Sequence, residues 1–167
     1  ALLAKIRRLR DHGSKTKYEH EVFGYGERID SLQAAILGAK LPRLEEWTEA
    51  RRGHARTYNE LLAGADVVTP YEGPNVRHVY HLYVIRVPRR DAMLAHLKSK
   101  GINAGIHYPL PVHRQPAYLK QGYGEISLPI TEQVADEVIS LPMYPELTRE
   151  QIEYVAHAVR EGRQLQG

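Results

Sequence analysis

The ten residues "HVYHLYVIRV", 78 to 87, restrict the fold more than any other stretch of this chain. Val79, Tyr83, Ile85 and Val87 alternate with Tyr80, Leu82 and Val84, so an extended segment here is largely apolar on both faces. Such a strand belongs in the middle of a sheet, covered on each side. The segment "RDAMLAHLKSKG" behind it has helical spacing, with Ala92, Ala95 and Leu97 expected to face inward and Gly101 just past the end. "INAGI" then reads as a returning strand, and "DVVTP" as a further short strand stopped by Pro70. Strand, helix and strand, followed by more helices, predict an α+β sandwich: a short sheet with helices packed on it.

The segments before the sheet are helical. Leu2, Leu3, Ile6 and Leu9 recur every three or four residues until "DHG" stops them. Residues 14 to 29, "SKTKYEHEVFGYGERI", carry neither period and read as a long ordered loop, and such loops are usually functional. Asp30 starts a second helix, with the capping-box spacing "DSLQ" and a stripe of Leu32, Ala35, Ile36 and Ala39. Pro42 lacks an N–H, so a kink or restart is expected there. Leu44, Trp47, Arg51, Ala55, Tyr58 and Leu62 continue the helical period, and Gly64 closes it. Near the end, "PITEQVADEVISLP" spaces Ile130, Val134 and Val138 at fours. "LTREQIEYVAHAVREG" repeats the capping-box spacing at Thr148 and Gln151, ahead of a stripe of Ile152, Val155 and Val159.

Composition narrows the function classes. The 167 residues suffice for one well-cored domain, and the absence of cysteine removes disulfides, thiolate metal sites and a cysteine nucleophile together. The apolar runs are too short to span a bilayer, and "ALLAKIRRLR" has no signal-peptide core, so a cytoplasmic protein with no membrane partner is expected. A net charge of +3, dispersed except at Lys5, Arg7, Arg8 and Arg10, argues against a nucleic-acid partner; those four read as a solvated helix face.

Chemistry concentrates in "GIHYPLPVH", 105 to 113. A metal site is disfavoured: neither His107 with His113 nor His78 with His81 has a two-histidine zinc spacing. There is no nucleophile elbow and no glycine-rich phosphate loop. Most of the 11 tyrosines are expected to pack with the hydroxyl at the surface. Pro109 and Pro111 fix φ and so aim Tyr108 and His113 at little entropic cost. Physical reasoning stops at a stiff loop able to line a site.

Four phrases together go further. "LRDHG…KYEH…FGYGERIDSLQAAIL", "RHVYHLYVIRV", "GIHYPLPVHRQPAY" and "SLPMYPELTREQI" resemble successive blocks of the DegT/DnrJ/StrS aminotransferases, in order and across essentially the whole chain. The resemblance implies a pyridoxal 5'-phosphate enzyme of fold type I that transfers an amino group, with glutamate as the expected donor, to a keto-sugar nucleotide, and that works as a homodimer. It also implies that this chain is the C-terminal part. Residues 1–29 match the end of the large domain and an interface loop, 30–64 a long connecting helix, and 65–167 the small α+β domain.

Residue by residue, His107 and Tyr108 match the family's pocket-lining pair, and Arg28 its arginine. Gly26 stands where the family usually has an asparagine that reaches the cofactor phosphate of the partner subunit. Lys17, Tyr18 and His20 match the interface loop and imply dimer contacts. Lys5, Lys15 and Lys17 do not sit in the family's cofactor-lysine context, so no catalytic residue is expected in this chain and the chain alone is expected to be inactive. Two rivals remain: a non-catalytic regulatory branch of the same family, and a standalone interaction module. The start at Ala1 without methionine reads as a cut rather than a gene start.

Overall fold

The computed structural model describes residues 1–16, 19–120, 122 and 126–165, which form two compact units, Ala1–Leu44 and Glu45–Gly167. Lys17 and Tyr18 of the expected interface loop lie outside the described residues.

In the first unit, helix α1 spans Leu2–Arg10 and buries none of its residues; Leu2, Leu3 and Ile6 are exposed. The segment expected to be a loop contains two short strands, β1 (Ser14–Thr16) and β2 (Glu19–His20), paired antiparallel. Polar strands this short carry no readable alternation, which is why periodicity missed them. Gly13 makes the return possible: its φ is +77°, and a Cβ there would overlap the carbonyl of Val22. Helix α2 runs over Ser31–Lys40, and Asp30 Oδ1 accepts from the Leu32 and Gln33 N–H groups at 2.8 and 3.3 Å. A 3-10 turn, Leu41–Arg43, holds Pro42 and precedes helix α3, Leu44–Leu62.

The second unit carries the core. Helix α3 buries Ala55, Tyr58 and Leu62. Strand β3 is Tyr83–Arg86, shorter than the expected 78–87; Val79 is exposed, and Tyr80 is buried but with φ +47°. Polar contacts keep residues 78–80 out of the sheet. Arg51 Nε donates to the Val79 carbonyl at 3.0 Å, Arg52 Nη1 to the His78 carbonyl at 2.7 Å, and Glu72 Oε1 accepts from the His78 N–H at 2.9 Å.

Helix α4, Arg90–Ser99, buries Met93 and Leu97, while Ala92 and Ala95 are exposed, so the inward face is rotated from the expected one. The larger side chains win the core position because they remove more apolar area from water.

Past a 3-10 turn at Val112–Arg114 and a single turn of helix, α5 (Pro116–Leu119), comes α6, Pro129–Glu137. It passes without a connecting residue into strand β4, Val138–Leu141, all four of whose residues are buried. The expected helical stripe of Ile130, Val134 and Val138 is therefore corrected: Ile130 is 76% exposed and Val138 is a strand residue. β4 pairs antiparallel with β3, Tyr83 opposite Leu141 and Arg86 opposite Val138. "DVVTP" and "INAGI" contribute one bridge each rather than strands, Val68 to Arg86 and Gly105 to Ser140.

Helix α7, Arg149–Gln164, begins at a full capping box, with Gln151 N–H donating to Thr148 Oγ1 and Thr148 N–H to Gln151 Oε1. It buries Ile152, Val155 and Val159 and packs on α4, where Gly162 lies against Met93. Tyr58 and Tyr83 stack inside the core at 4.8 Å between ring centres. Their hydroxyls are not at the surface: Tyr58 donates to the Pro142 carbonyl at 3.1 Å and Tyr83 to Asn59 Oδ1 at 2.6 Å, and burial pushes both phenols up.

Candidate functional site

The loop behind α4 is built from its two ends. At the front, Gly105 and Ser140 exchange backbone hydrogen bonds of 3.0 and 2.8 Å. This pairing brings the next side chain back over β4. His107 Nδ1 lies 2.9 Å from Ser140 Oγ, and the ring covers Gly105, where a Cβ would sit 3.1 Å from His107 Cε1. The His107–Tyr108 peptide is cis, and the two rings meet edge to face at 5.6 Å. Tyr108 is 75% exposed, a large polar-aromatic surface on a stiff backbone.

At the back of the loop, His113 and Arg114 turn toward the first turns of α6. Glu132 Oε1 faces His113 Nε2 at 2.9 Å, Arg114 Nη2 at 3.0 Å and the Leu128 N–H at 3.0 Å. These donors, His113 first, hold the Glu132 carboxyl down to about 2. An ionised carboxylate only accepts, so the His113 nitrogen facing it carries a proton.

In the first unit, Gly26 bridges to Asp11, and a Cβ on it would stand 3.0 Å from His12 Cε1. Arg28 Nη1 is 3.4 Å from Asp11 Oδ1, with both side chains largely exposed. His20 Nδ1 lies 2.9 Å from the His12 carbonyl. The structure thus gathers Gly26, Arg28 and His20 around Asp11 and His12 in one unit, and joins His107 to Tyr108 in the other.

Sequence reasoning missed Ser140 and Glu132. The available signal for Ser140 was a single hydroxyl inside the apolar run "VISL". Among the described residues, no three histidine or carboxylate side chains are placed to hold a metal ion, and no helix is long and apolar enough to cross a membrane.

The chain has clear counterparts among known proteins. The model of the DegT/DnrJ/EryC1/StrS aminotransferase family matches residues 1–160, and the chain belongs to that family. It is 50% identical, over 96% of its own length and 44% of the relative's, to a "Pleiotropic regulatory protein" of Geobacillus stearothermophilus. It is 40% identical, over 93% of its length and 42% of the relative's, to a UDP-N-acetyl-3-dehydro-alpha-D-glucosamine 3-aminotransferase of Acidithiobacillus ferrooxidans. Its structure is similar to that of S. venezuelae DesV in complex with a ketimine intermediate: TM-score 0.92 and 41% identity, covering 98% of this chain and 44% of that one. The chain therefore spans less than half the length of the relatives it matches.

The family implies pyridoxal phosphate, but the described residues do not fit the whole of that group. It is held through a lysine whose amine must be desolvated or otherwise tuned. Every described lysine here is exposed, with Lys15 paired to Glu21 and Lys100 to Glu161.

Proposed function

We propose that this chain is the small-domain portion of a pyridoxal-phosphate aminotransferase of fold type I that acts on a keto-sugar nucleotide. In this reading residues 1–29 close the large domain, 30–64 connect, and 65–167 form the small domain. The lysine and the carboxylate that pairs with the pyridine nitrogen come from elsewhere in the whole protein, a cytoplasmic homodimer that takes its amino group from glutamate. The chain itself supplies His107 and Tyr108 as pocket wall, while in the first unit Arg28 and the Gly26 backbone are assigned to the cofactor phosphate of the partner subunit. His20, with Lys17 and Tyr18, contributes to the dimer contact.

One observation carries the reading: the exposed His107–Tyr108 pair is fixed in place by Ser140, although exposed loop side chains are ordinarily free. His107 offers its other ring nitrogen, Nε2, and Tyr108 a phenol to a bound sugar or phosphate. The test is glutamate-dependent amination of a keto-sugar nucleotide by the whole protein. Turnover that falls at least tenfold in His107→Ala is the expected result; no turnover with any such substrate overturns the reading. The chain of 167 residues alone is expected to show none.

The Geobacillus relative, named as a regulator, favours a second reading, in which the protein binds the cofactor or a sugar nucleotide without turning it over. Ligand binding by the whole protein with no transamination would select it.

A further inference from the structure

The two ends of the 105–114 loop are held by one continuous piece of chain. His107 rests on Ser140 in β4, and His113 and Arg114 rest on Glu132 in α6, with no residue between helix and strand. Ser140 has backbone pairing to support it, because the Gly105 bridge is made to the same residue. Among the described residues the Glu132 end has no such ladder; beside the 3-10 turn itself, His113 and Arg114 tie the back of the loop to one carboxylate oxygen.

That oxygen is placed with care for a half-exposed group. The His113 side chain is only 10% exposed, and Glu132 Oε1 also accepts from the Leu128 N–H ahead of α6. Donors from three residues in two separate segments converge on one atom. Charge-assisted bonds of this kind are shorter and stronger than neutral ones, and an ionised acceptor with several donors has few alternative orientations. Between the anchors, Pro109 and Pro111 restrict φ, so an error in the position of His113 is passed along the loop to Tyr108 rather than absorbed.

We propose that Glu132 is a positioning residue: acting through His113 and Arg114, it sets where His107 and Tyr108 stand in the pocket wall. Glu132 touches no substrate in this account. The proposal rests on the pocket-wall reading of His107 and Tyr108, and its test separates the two.

The experiment compares Glu132→Gln, His113→Ala and His113→Gln with the parent, in the whole protein that carries this chain. Ring signals of His107 and Tyr108 are followed by NMR, with Ile139 and Val155 methyl signals reporting the core. KM for the keto-sugar nucleotide and kcat are measured separately. Expected are displaced His107 and Tyr108 signals in Glu132→Gln and His113→Ala, unmoved core methyls, and KM raised on the order of tenfold with kcat largely kept. His113→Gln, which keeps a donor, should restore both. Unmoved His107 and Tyr108 signals in a folded His113→Ala protein would overturn the latch. Displaced signals with unchanged KM and kcat would leave the latch standing and overturn the pocket-wall reading, and with it the positioning role. Should Glu132→Gln fail to fold, the His113 pair decides alone.

Discussion

His107 Nδ1 lies 2.9 Å from the Oγ of Ser140, the only polar side chain in a strand otherwise made of Val138, Ile139 and Leu141. A hydroxyl in such a strand is tolerated because it has a partner; here the partner is the loop it orients.

Ser140→Ala should therefore separate fold from site. Only the Ser140 hydroxyl is lost, and the exposed His107 ring can turn to water, so the cost to stability is about 1 kcal/mol, or a thermal midpoint lower by about 2–4 °C. The His107 ring signals should broaden or move, with the β3–β4 amide signals kept. A cooperative loss of the sheet instead would mean that Ser140 serves packing.

Acid should act on the other end of the loop. Glu132 is held down to about 2 from the usual 4.5, so its contribution to stability is complete above about pH 5.5 and fades as pH falls from 4.5 through 2. The thermal midpoints of the parent and Glu132→Gln should thus differ by a constant amount near neutrality and converge toward pH 2. A gap that persists unchanged to pH 2 would contradict this.

Inside the core, Tyr58 and Tyr83 offer a graded test. Tyr83→Phe removes the bond to Asn59 and leaves the stack, at a cost of about 1 kcal/mol. Tyr58→Ala empties a fully buried site beside the same ring and should cost about 3–5 kcal/mol. Chemical denaturation measures both, and equal losses would show that the ring stacking contributes little.

Gly162→Ala tests how closely α7 approaches α4. A Cβ there would stand 2.7 Å from Met93 Sδ and 3.0 Å from His96 Cδ2. Ala is the better helix former by about 1 kcal/mol, yet overpacking costs about 1–3 kcal/mol, so net destabilisation is expected. Adding Met93→Ala should relieve the clash, read as non-additivity in a double-mutant cycle.

Helices were the most legible part of this sequence. Residues such as Thr148, Gln151 and Asp30 announce their ends locally, and the stripe Ile152, Val155, Val159 repeats over enough turns to fix a buried face. The strand at 78–87 was over-read because aromatic and β-branched residues carry strand propensity, whereas what shortens it comes from Arg51 and Arg52 in α3, far back in the chain. β4 was hidden for the opposite reason: with no turn residue after α6, the helical spacing runs straight into it. In the site, the loop could be read but its anchors could not. Ser140 lies 33 residues from His107 and Glu132 lies 19 from His113, separations at which a single sequence holds no pairing signal. The family blocks single out His107 and Tyr108 as candidates, but not the residues that hold them.

The junction of α6 and β4 has a mechanical consequence. A helix joined to a strand by a linker can roll or slide while the strand stays put; here Val138 is both the end of one and the start of the other. Only the φ and ψ of the junction residue separate the helix that carries Glu132 from the strand that carries Ser140. The supports of His107 and Tyr108 thus share one short run of backbone, as the two cheeks of a vice share one frame.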